Sequence, residues 1–314
     1  MKAIVVTDQA AGTAGMTLVE RPDPDAARLA SLSGANYGDV IVEVHASGFT
    51  GDELEWPSTW IDRLGRDRTP SIPGHELAGV VTALGYGTTG LSMGQRVFGL
   101  TDWTRDGTLA EYAVVEARNL APLPGDVEFT AAAGVAMSGL TAWQGLFEHG
   151  RLQQGQSVLV HGAAGAVGSM ATQLAREAGA YVIGTGRAAG RQKALDFGAR
   201  EFVDLDNDAL EDVGGVDLVF DVLGGDIQKR SAGLVRTGGT LVTVTGPPEA
   251  RPADGLAIDF VVVSERDHLS EIVRRVRDGR VRTNIGNVAT LDDAVAAFNP
   301  TERVNGKTII RVRS

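Results

Sequence analysis

The residues best suited to chemistry form a turn of small side chains between two apolar segments. Ser157–Val160 is a short apolar run typical of a β-strand, and residues 181–184 form a second one. Between them, the turn at 161–168 leads into a segment whose apolar residues repeat at helical spacing. Strand, turn, helix and strand make a βαβ unit. The backbone N–H groups of such a turn can bind a diphosphate, helped by the positive end of the helix dipole.

The turn departs from the dinucleotide pattern G-x-G-x-x-G at its first position, where alanine replaces glycine. A glycine-rich turn alone is weak evidence, because tight turns of this kind occur in many α/β proteins. Its place between a strand and a helix favours nucleotide binding. The residues predicted to contact the cofactor in this turn are Gly162, Ala163, Gly165, Ala166, Val167 and Gly168.

The end of the second strand indicates which nicotinamide cofactor is used. In NAD-preferring folds an acidic side chain at this point binds the ribose hydroxyls. Gly186 takes that position in this chain, Arg187 follows it, and Arg191 is close by. A 2′-phosphate is then not repelled, and a guanidinium can bind it through two hydrogen bonds. We therefore predict NADPH as the cofactor; the alternative is that these arginines are solvated surface cations.

The composition limits the class of protein. A length of 314 residues predicts two domains, and the net charge of -11 argues against nucleic-acid or anionic-membrane partners. The chain has no cysteine, which excludes disulfides and thiolate metal sites and fits the reducing cytoplasm, where we expect the protein. No run approaches the roughly 20 apolar residues of a membrane helix, and the N-terminal apolar run is too short for a signal peptide.

The predicted elements differ between two regions. Residues 1–120 contain many short strands separated by glycines, which suggests a small, partly open barrel. From residue 157 onward strands and helices alternate, and a strand at 260–263 (FVVV) is the last of six. This pattern predicts an α/β doubly wound parallel sheet. Two helices, at 268–279 and 291–298, and a strand at 307–312 follow.

Several segments, in a characteristic order and spacing, span nearly the whole chain. They are MKAIVV (1–6), PGHELAGVV (73–81), GQRVFGL (94–100), AEYAVV (110–115), SGLTAW (138–143), VLVHGAAGAVG (158–168), FDVLGG (220–225), GGTLVTV (238–244) and NGKTIIRV (305–312). Together they resemble the medium-chain dehydrogenase/reductase superfamily, in its zinc-independent branch of NADPH:quinone oxidoreductases and zeta-crystallin. The resemblance implies a GroES-like β-barrel catalytic domain at 1–121 and 267–314, interrupted by a Rossmann NADP-binding domain at 122–266. It also implies a homodimer, with the exposed edge strand at 260–263 as the candidate seam.

The resemblance also implies where the nicotinamide lies. The corresponding residues are Thr50, Thr141, Val222, Leu223, Gly224, Thr245 and Gly246. Trp56 and Trp60 are candidate walls for a flat acceptor, although either could instead cover a loop or the core. Asp52 stands where zinc-dependent relatives keep a proton-relaying hydroxyl, so it is a candidate proton donor, although its ionised form cannot donate.

The zinc ligands of the wider family are not reproduced. Thr50 takes the place of the first cysteine and Met137 that of the third ligand, so that only His75 survives. Threonine and methionine are poor substitutes in a site that needs three protein ligands, and we predict no metal. His75 and Glu76 are then expected to be a satisfied buried polar pair; the alternative is an oxygen-rich site that also includes Asp52 and Glu53.

Without zinc, an alkoxide has no Lewis acid to stabilise it. The anion that a quinone or an α,β-unsaturated carbonyl forms on accepting hydride needs less stabilisation by the enzyme, because its negative charge is delocalised. The sequence therefore predicts an NADPH-dependent, zinc-independent reductase of such acceptors. The alternatives are a double-bond reductase of enoyl thioesters or alkenals, and an NADPH-binding protein without turnover.

Overall fold

The computed structural model describes residues 1–29, 37–302 and 305–313, and the chain divides into two compact units. The first unit consists of Met1–Met137, Ser264–Asp278 and Ile285–Ser314, and the second of Ser138–Val263 and Gly279–Asn284. These bounds differ from the predicted domains, because 122–137 and 264–266 belong to the first unit and 279–284 to the second.

The described residues form strands and helices numbered here in chain order. The strands are β1 Lys2–Val5, β2 Thr17–Glu20, β3 Asp39–Gly48, β4 Glu76–Leu84, β5 Arg96–Leu100, β6 Tyr112–Glu116, β7 Leu120–Pro122, β8 Ser157–Val160, β9 Tyr181–Gly186, β10 Glu201–Asp204, β11 Val216–Asp221, β12 Val235–Thr243, β13 Gly255–Asp259, β14 Ile285–Thr290 and β15 Lys307–Arg311. The helices are α1 Ala26–Leu29, α2 Pro57–Trp60, α3 Phe129–Trp143, α4 Ala166–Glu177, α5 Arg191–Phe197, α6 Gly225–Ala232, α7 Arg266–Arg277 and α8 Ala294–Phe298. No helix of these is long and apolar enough to cross a membrane.

The second unit is built on a parallel sheet of six strands in the order β10-β9-β8-β11-β12-β13. The central strands are buried on both faces, as Leu159 and Val219 on one face and Val160 and Phe220 on the other show. The strand order reverses between β8 and β11, and ligands of doubly wound sheets bind beyond the carboxyl ends of the strands at such a point. The predicted doubly wound sheet is thus confirmed.

The predicted last strand at 260–263 is wrong. The sixth strand is β13, which pairs with β12 from Gly239↔Gly255 to Thr243↔Asp259. The apolar run that misled the prediction is largely exposed, with Val261 at 75% and Val263 at 53%. The backbone N–H and carbonyl of Val263 instead bond to the side chain of Gln144, at 3.1 and 2.8 Å.

The first unit contains a sheet of seven strands, in the order β14-β15-β3-β4-β5-β7 with β6 pairing β3. All of its pairs are antiparallel except β14 with β15. β3 buries Val40, Val42 and Val44 on one face, because side chains two residues apart point the same way. β1 and β2 form a separate antiparallel pair. This is the GroES-like fold expected for the first unit.

Candidate functional site

The dinucleotide turn is built around Gly162. This residue has φ +60°, a left-handed conformation that glycine adopts without strain. The N–H of Gly165 donates to the Gly162 carbonyl at 2.7 Å and closes the turn. Ala163 is fully buried, and its N–H donates to Thr185 O at 3.0 Å. The left-handed position therefore lies one residue before the alanine, which explains why the pattern tolerates alanine at 163.

The start of α4 lies against this turn. A Cβ on Gly168 would stand 2.1 Å from Gly162 O, so only glycine allows the helix to approach so closely. The first intrahelical bond runs from Ser169 N to Gly165 O at 3.0 Å. The N–H groups of Ala166 and Val167 precede it and have no partner within the helix. Together with the helix dipole, these groups can bind an anionic diphosphate.

His161, directly after β8, links the end of that strand to Thr185 in β9 and Ser231 in α6. Its Nδ1 lies 2.8 Å from Thr185 Oγ1 and its Nε2 lies 2.8 Å from Ser231 Oγ. The Ser231 hydroxyl donates to Ile227 O at 2.7 Å, so it accepts from Nε2–H, and Nδ1 accepts from Thr185. Burial lowers the pKa of His161 to about 4, and the carboxylate of Asp221 opposes this shift only in part. The ring is therefore a neutral structural link.

The His161 pKa predicts a pH dependence of stability. Between about pH 6.5 and pH 4 the unfolded chain binds a proton at His161 that the folded chain does not, so stability falls as the pH falls. We expect His161→Gln to remove up to about 1.4 kcal/mol per pH unit from this slope. Urea unfolding of both proteins from pH 7.5 to pH 4.5 measures it, and identical slopes would contradict the assignment.

Asp221, at the end of β11, organises the loop that follows. It is fully buried, and its Oδ1 accepts from the N–H groups of Leu223 at 3.0 Å and Gly224 at 3.1 Å. Its Oδ2 accepts from Gln228 Nε2 at 3.1 Å and from the Thr243 hydroxyl at 2.8 Å. Asp221 is not among the predicted site residues, although an acidic side chain that ends a buried apolar strand is a signal that could have indicated it.

The predicted nicotinamide residues of the second unit lie at the ends of β11 and β12. The Thr245 side chain lies 3.0 Å from the Thr243 hydroxyl, and its Oγ1 is 2.7 Å from where a Cβ on Gly224 would be. The structure thus brings 222–224 and 245–246 together. Thr141 lies in α3 and is 6% exposed.

The two arginines predicted to bind the 2′-phosphate differ in their surroundings. Arg187, directly after β9, is exposed, and its side chain has no hydrogen bond or ion pair within the described residues. Arg191 is engaged: its Nη1 donates to Phe202 O at 2.9 Å and its Nη2 to Asp208 at 3.2 Å. The Arg187 guanidinium is therefore more available than that of Arg191 to bind a 2′-phosphate.

In the first unit, His75 pairs with Glu53. Glu53 is fully buried and accepts from Thr50 N at 3.0 Å, Gly74 N at 3.1 Å and His75 Nδ1 at 2.6 Å. Its carboxylate is thus satisfied, and His75 carries its proton on Nδ1. The Nε2 of His75 is buried and has no hydrogen-bond partner among the residues that the structure describes.

The predicted pairing of His75 with Glu76 is wrong, although both are buried. Successive residues of extended chain point to opposite faces, so the two side chains diverge. Glu76 forms an ion pair with Lys307 and accepts from Met137 N at 3.1 Å. Burial raises the pKa of Glu76, and the Lys307 ammonium counteracts that rise.

The tryptophans have separate roles. The rings of Trp56 and Trp103 meet edge to face at 5.3 Å, and both lie against His75, at 5.8 and 4.9 Å. Trp60 donates its Nε1–H to Leu54 O at 2.8 Å and packs on the core, so it follows the alternative noted for it. Nothing in the sequence distinguished Trp103. Asp52 is exposed, and Thr50 is half-buried.

The position of the family's zinc does not fit a metal ion here. Thr50 and Met137 are poor ligands, and the Nδ1 of His75 is bonded to Glu53. Glu76 is neutralised by Lys307. Within residues 1–29, 37–302 and 305–313, no group of three or more His, Cys, Asp or Glu side chains could hold a metal ion.

Comparison with known proteins identifies the family. Residues 36–125 match the model of the alcohol dehydrogenase GroES-like domain, and residues 166–279 match that of zinc-binding dehydrogenases. The quinone oxidoreductase of Homo sapiens is 31% identical over 71% of this chain and 70% of its own length. The 2-methylene-furan-3-one reductase of Solanum lycopersicum is 32% identical over 77% of this chain and 63% of its own length.

Two further similarities extend over nearly the whole chain. The spectinabilin polyketide synthase system protein NorB of Streptomyces orinoci is 34% identical over 90% of this chain, which spans only 13% of that protein. The structure of the quinone oxidoreductase from Coxiella burnetii superposes with a TM-score of 0.87 at 24% identity, and covers 100% of this chain and 99% of its own. With the fold and the glycine turn, these matches show that the chain belongs to the medium-chain dehydrogenase/reductase superfamily, in its quinone-oxidoreductase-like branch, and is an oxidoreductase that uses a nicotinamide cofactor.

Proposed function

We propose that the protein is an NADPH-dependent reductase that transfers hydride to a quinone or an α,β-unsaturated carbonyl without zinc. The observation that carries the proposal is the second unit's turn at 162–168, together with Arg187 at the end of the neighbouring strand, whose side chain bonds to none of the residues that the structure describes. The turn offers N–H groups to a diphosphate, and Arg187 offers a guanidinium to a 2′-phosphate. When bound, NADPH supplies a hydride from its nicotinamide C4.

The residues of this chain that would hold NADPH have distinct tasks. The N–H groups at the start of α4 bind the diphosphate, and Arg187 binds the 2′-phosphate, with Arg191 as a second, weaker contact. The loops at 222–224 and 245–246, with Thr141, line the nicotinamide. The hydrogen bonds that Asp221 accepts from Leu223 N and Gly224 N hold the loop at 222–224 in shape, so that this loop needs little reorganisation when NADPH binds.

Arg187→Ala tests the choice of cofactor. We expect the Kd for NADPH to rise by about 30-fold, because a charge-assisted contact to phosphate contributes about 2 kcal/mol. The Kd for NADH should not change, since NADH lacks the 2′-phosphate. Arg200→Ala is the matched control, because this exposed arginine precedes β10, at the amino end of the parallel strands, whereas Arg187 follows the carboxyl end of β9. Equal effects on NADPH and NADH would contradict the role.

The acceptor is inferred from chemistry and from the names of relatives. Without a metal, an acceptor that delocalises the charge after hydride transfer is favoured, and the relatives named quinone oxidoreductase and 2-methylene-furan-3-one reductase support this class. Trp56 is proposed to contact a flat acceptor, with Trp103 as its neighbour. Thr50 and Asp52 stay in the proposal as residues of the acceptor site.

A panel of acceptors tests the proposed function. NADPH oxidation is followed with ortho- and para-quinones, 2-alkenals and crotonyl thioesters. Turnover of quinones or enones supports the proposal. A strong preference for thioesters or alkenals would favour a double-bond reductase instead. Tight NADPH binding without turnover would indicate a non-catalytic NADPH-binding protein.

We also propose a homodimer that pairs the edge of the second unit's sheet with its copy. β13 pairs only with β12 among the described residues, and Leu256 on it is 60% exposed. Val261 and Val263, just beyond the strand, are exposed as well. Exposed strand edges of this kind are commonly covered by another chain. Light scattering should give twice the chain mass of 32.9 kDa.

A further inference from the structure

A short segment, residues 280–284, is bonded along α4. At the far end of the helix, Arg176 donates to Arg280 O at 3.2 Å. In the middle, Gln173 donates to Arg282 O at 3.0 Å and accepts from Arg282 N at 2.8 Å. The segment therefore runs from the end of α4 back towards its beginning, where Asn284 lies.

Asn284 bonds directly to the backbone of the dinucleotide turn. Its Nδ2 donates to Ala164 O at 2.8 Å and to Gly165 O at 3.1 Å. The opposite amide orientation would set its oxygen against two carbonyl oxygens, so the contacts fix the orientation. The side chain is 7% exposed, and within the described residues its buried Oδ1 has no hydrogen-bond partner.

These bonds determine where the turn's donors point. In a trans peptide the N–H lies opposite the carbonyl, so holding Gly165 C=O directs the N–H of Ala166 away from Asn284. A hydrogen bond to that carbonyl also polarises the peptide and strengthens the Ala166 N–H as a donor. We propose that Asn284 is a positioning residue for the cofactor's diphosphate; this inference rests on the proposed function.

The test compares a ligand with the diphosphate and one without it. Titrations of Asn284→Ala with NADPH should show about a tenfold higher Kd than wild type, as expected when one or two donors are misdirected. The Kd for adenosine 2′-monophosphate, which lacks the diphosphate, should not change. Asn284→Asp keeps the side-chain shape but cannot donate and adds a negative charge, so NADPH binding should weaken further, by about a hundredfold.

The controls separate positioning from general loosening of the segment. Arg176→Ala removes a bond at the far end of the segment and should leave the Kd for NADPH unchanged. Thermal unfolding shows whether each variant is folded, and if the alanine variant is not, the isosteric aspartate variant decides. The inference is overturned if Asn284→Ala and Asn284→Asp bind NADPH as wild type does, or if both ligands weaken in parallel. Wild type that binds neither NADPH nor NADH would overturn the proposed function as well.

Discussion

Replacing Gly168 by alanine is expected to weaken NADPH binding by about a hundredfold while the chain still folds. The new Cβ would lie 2.1 Å from Gly162 O and 2.6 Å from its carbonyl carbon, and backbone atoms cannot rotate away as a side chain can. Overpacking of this kind costs about 1–3 kcal/mol of stability. The turn must open, and bonds from its N–H groups to a charged diphosphate, each about 1.5–3 kcal/mol, are lost.

Calorimetric titration with NADPH, together with urea unfolding, measures both effects. Gly125→Ala is the matched control, because a Cβ there meets nothing within 4 Å and its φ is not positive. That variant should bind NADPH as wild type does. If Gly168→Ala also retained wild-type affinity, the turn at 162–168 would not be the diphosphate site.

Replacing Asp221 by alanine is expected to lower the free energy of unfolding more than His161→Gln, Gly168→Ala or Asp226→Asn. The N–H groups of Leu223 and Gly224, the Gln228 amide and the Thr243 hydroxyl would lose their acceptor in a buried position. Each unsatisfied group costs about 1–3 kcal/mol, so we expect a loss of at least about 3 kcal/mol. NADPH affinity should fall as well, because the loop at 222–224 is no longer held in shape.

Urea unfolding and NADPH titration again provide the measurements. Asp221→Asn keeps the shape but presents an NH₂ group to neighbouring donors, so it should also destabilise the protein. Asp226→Asn, in the first turn of α6, is the control, since that carboxyl is 91% exposed and its substitution should cost less than about 0.5 kcal/mol. Comparable stabilities for the Asp221 and Asp226 variants would show that the carboxylate does not hold the loop.

The parts of this molecule that the sequence predicts well are those set by local periodicity. The unit from Ser157 to Gly186 is such a case, because strand, turn and helix each have their own pattern of apolar and small residues. The strand at 260–263 was mispredicted because its apolar pattern is that of a strand, while its backbone bonds to the side chain of Gln144. Hydrophobicity alone does not reveal which backbone groups pair.

The hydrogen bonds and ion pairs of the site were harder to predict from the sequence, because they join residues far apart in the chain. His75 is next to Glu76 in sequence, yet it bonds to Glu53, and the acid beside it bonds to Lys307. The glycine turn could be recognised from its spacing, but the residue that supports it, Asn284, lies 120 positions away from Ala164 in the chain. The domain bounds differ from the prediction for the same reason. Gly279–Asn284 follow residues of the first unit in the sequence, yet they belong to the second unit.

The discontinuity of the first unit has a consequence for biosynthesis. A ribosome releases residues 138–284, and thus everything the second unit needs, before β15 has been made. Until Lys307 emerges, the carboxyl group of Glu76 has no cation to offset its transfer from water. Because domains fold as units during synthesis, the nascent chain should acquire the ability to bind nucleotide before its N-terminal half reaches its final packing.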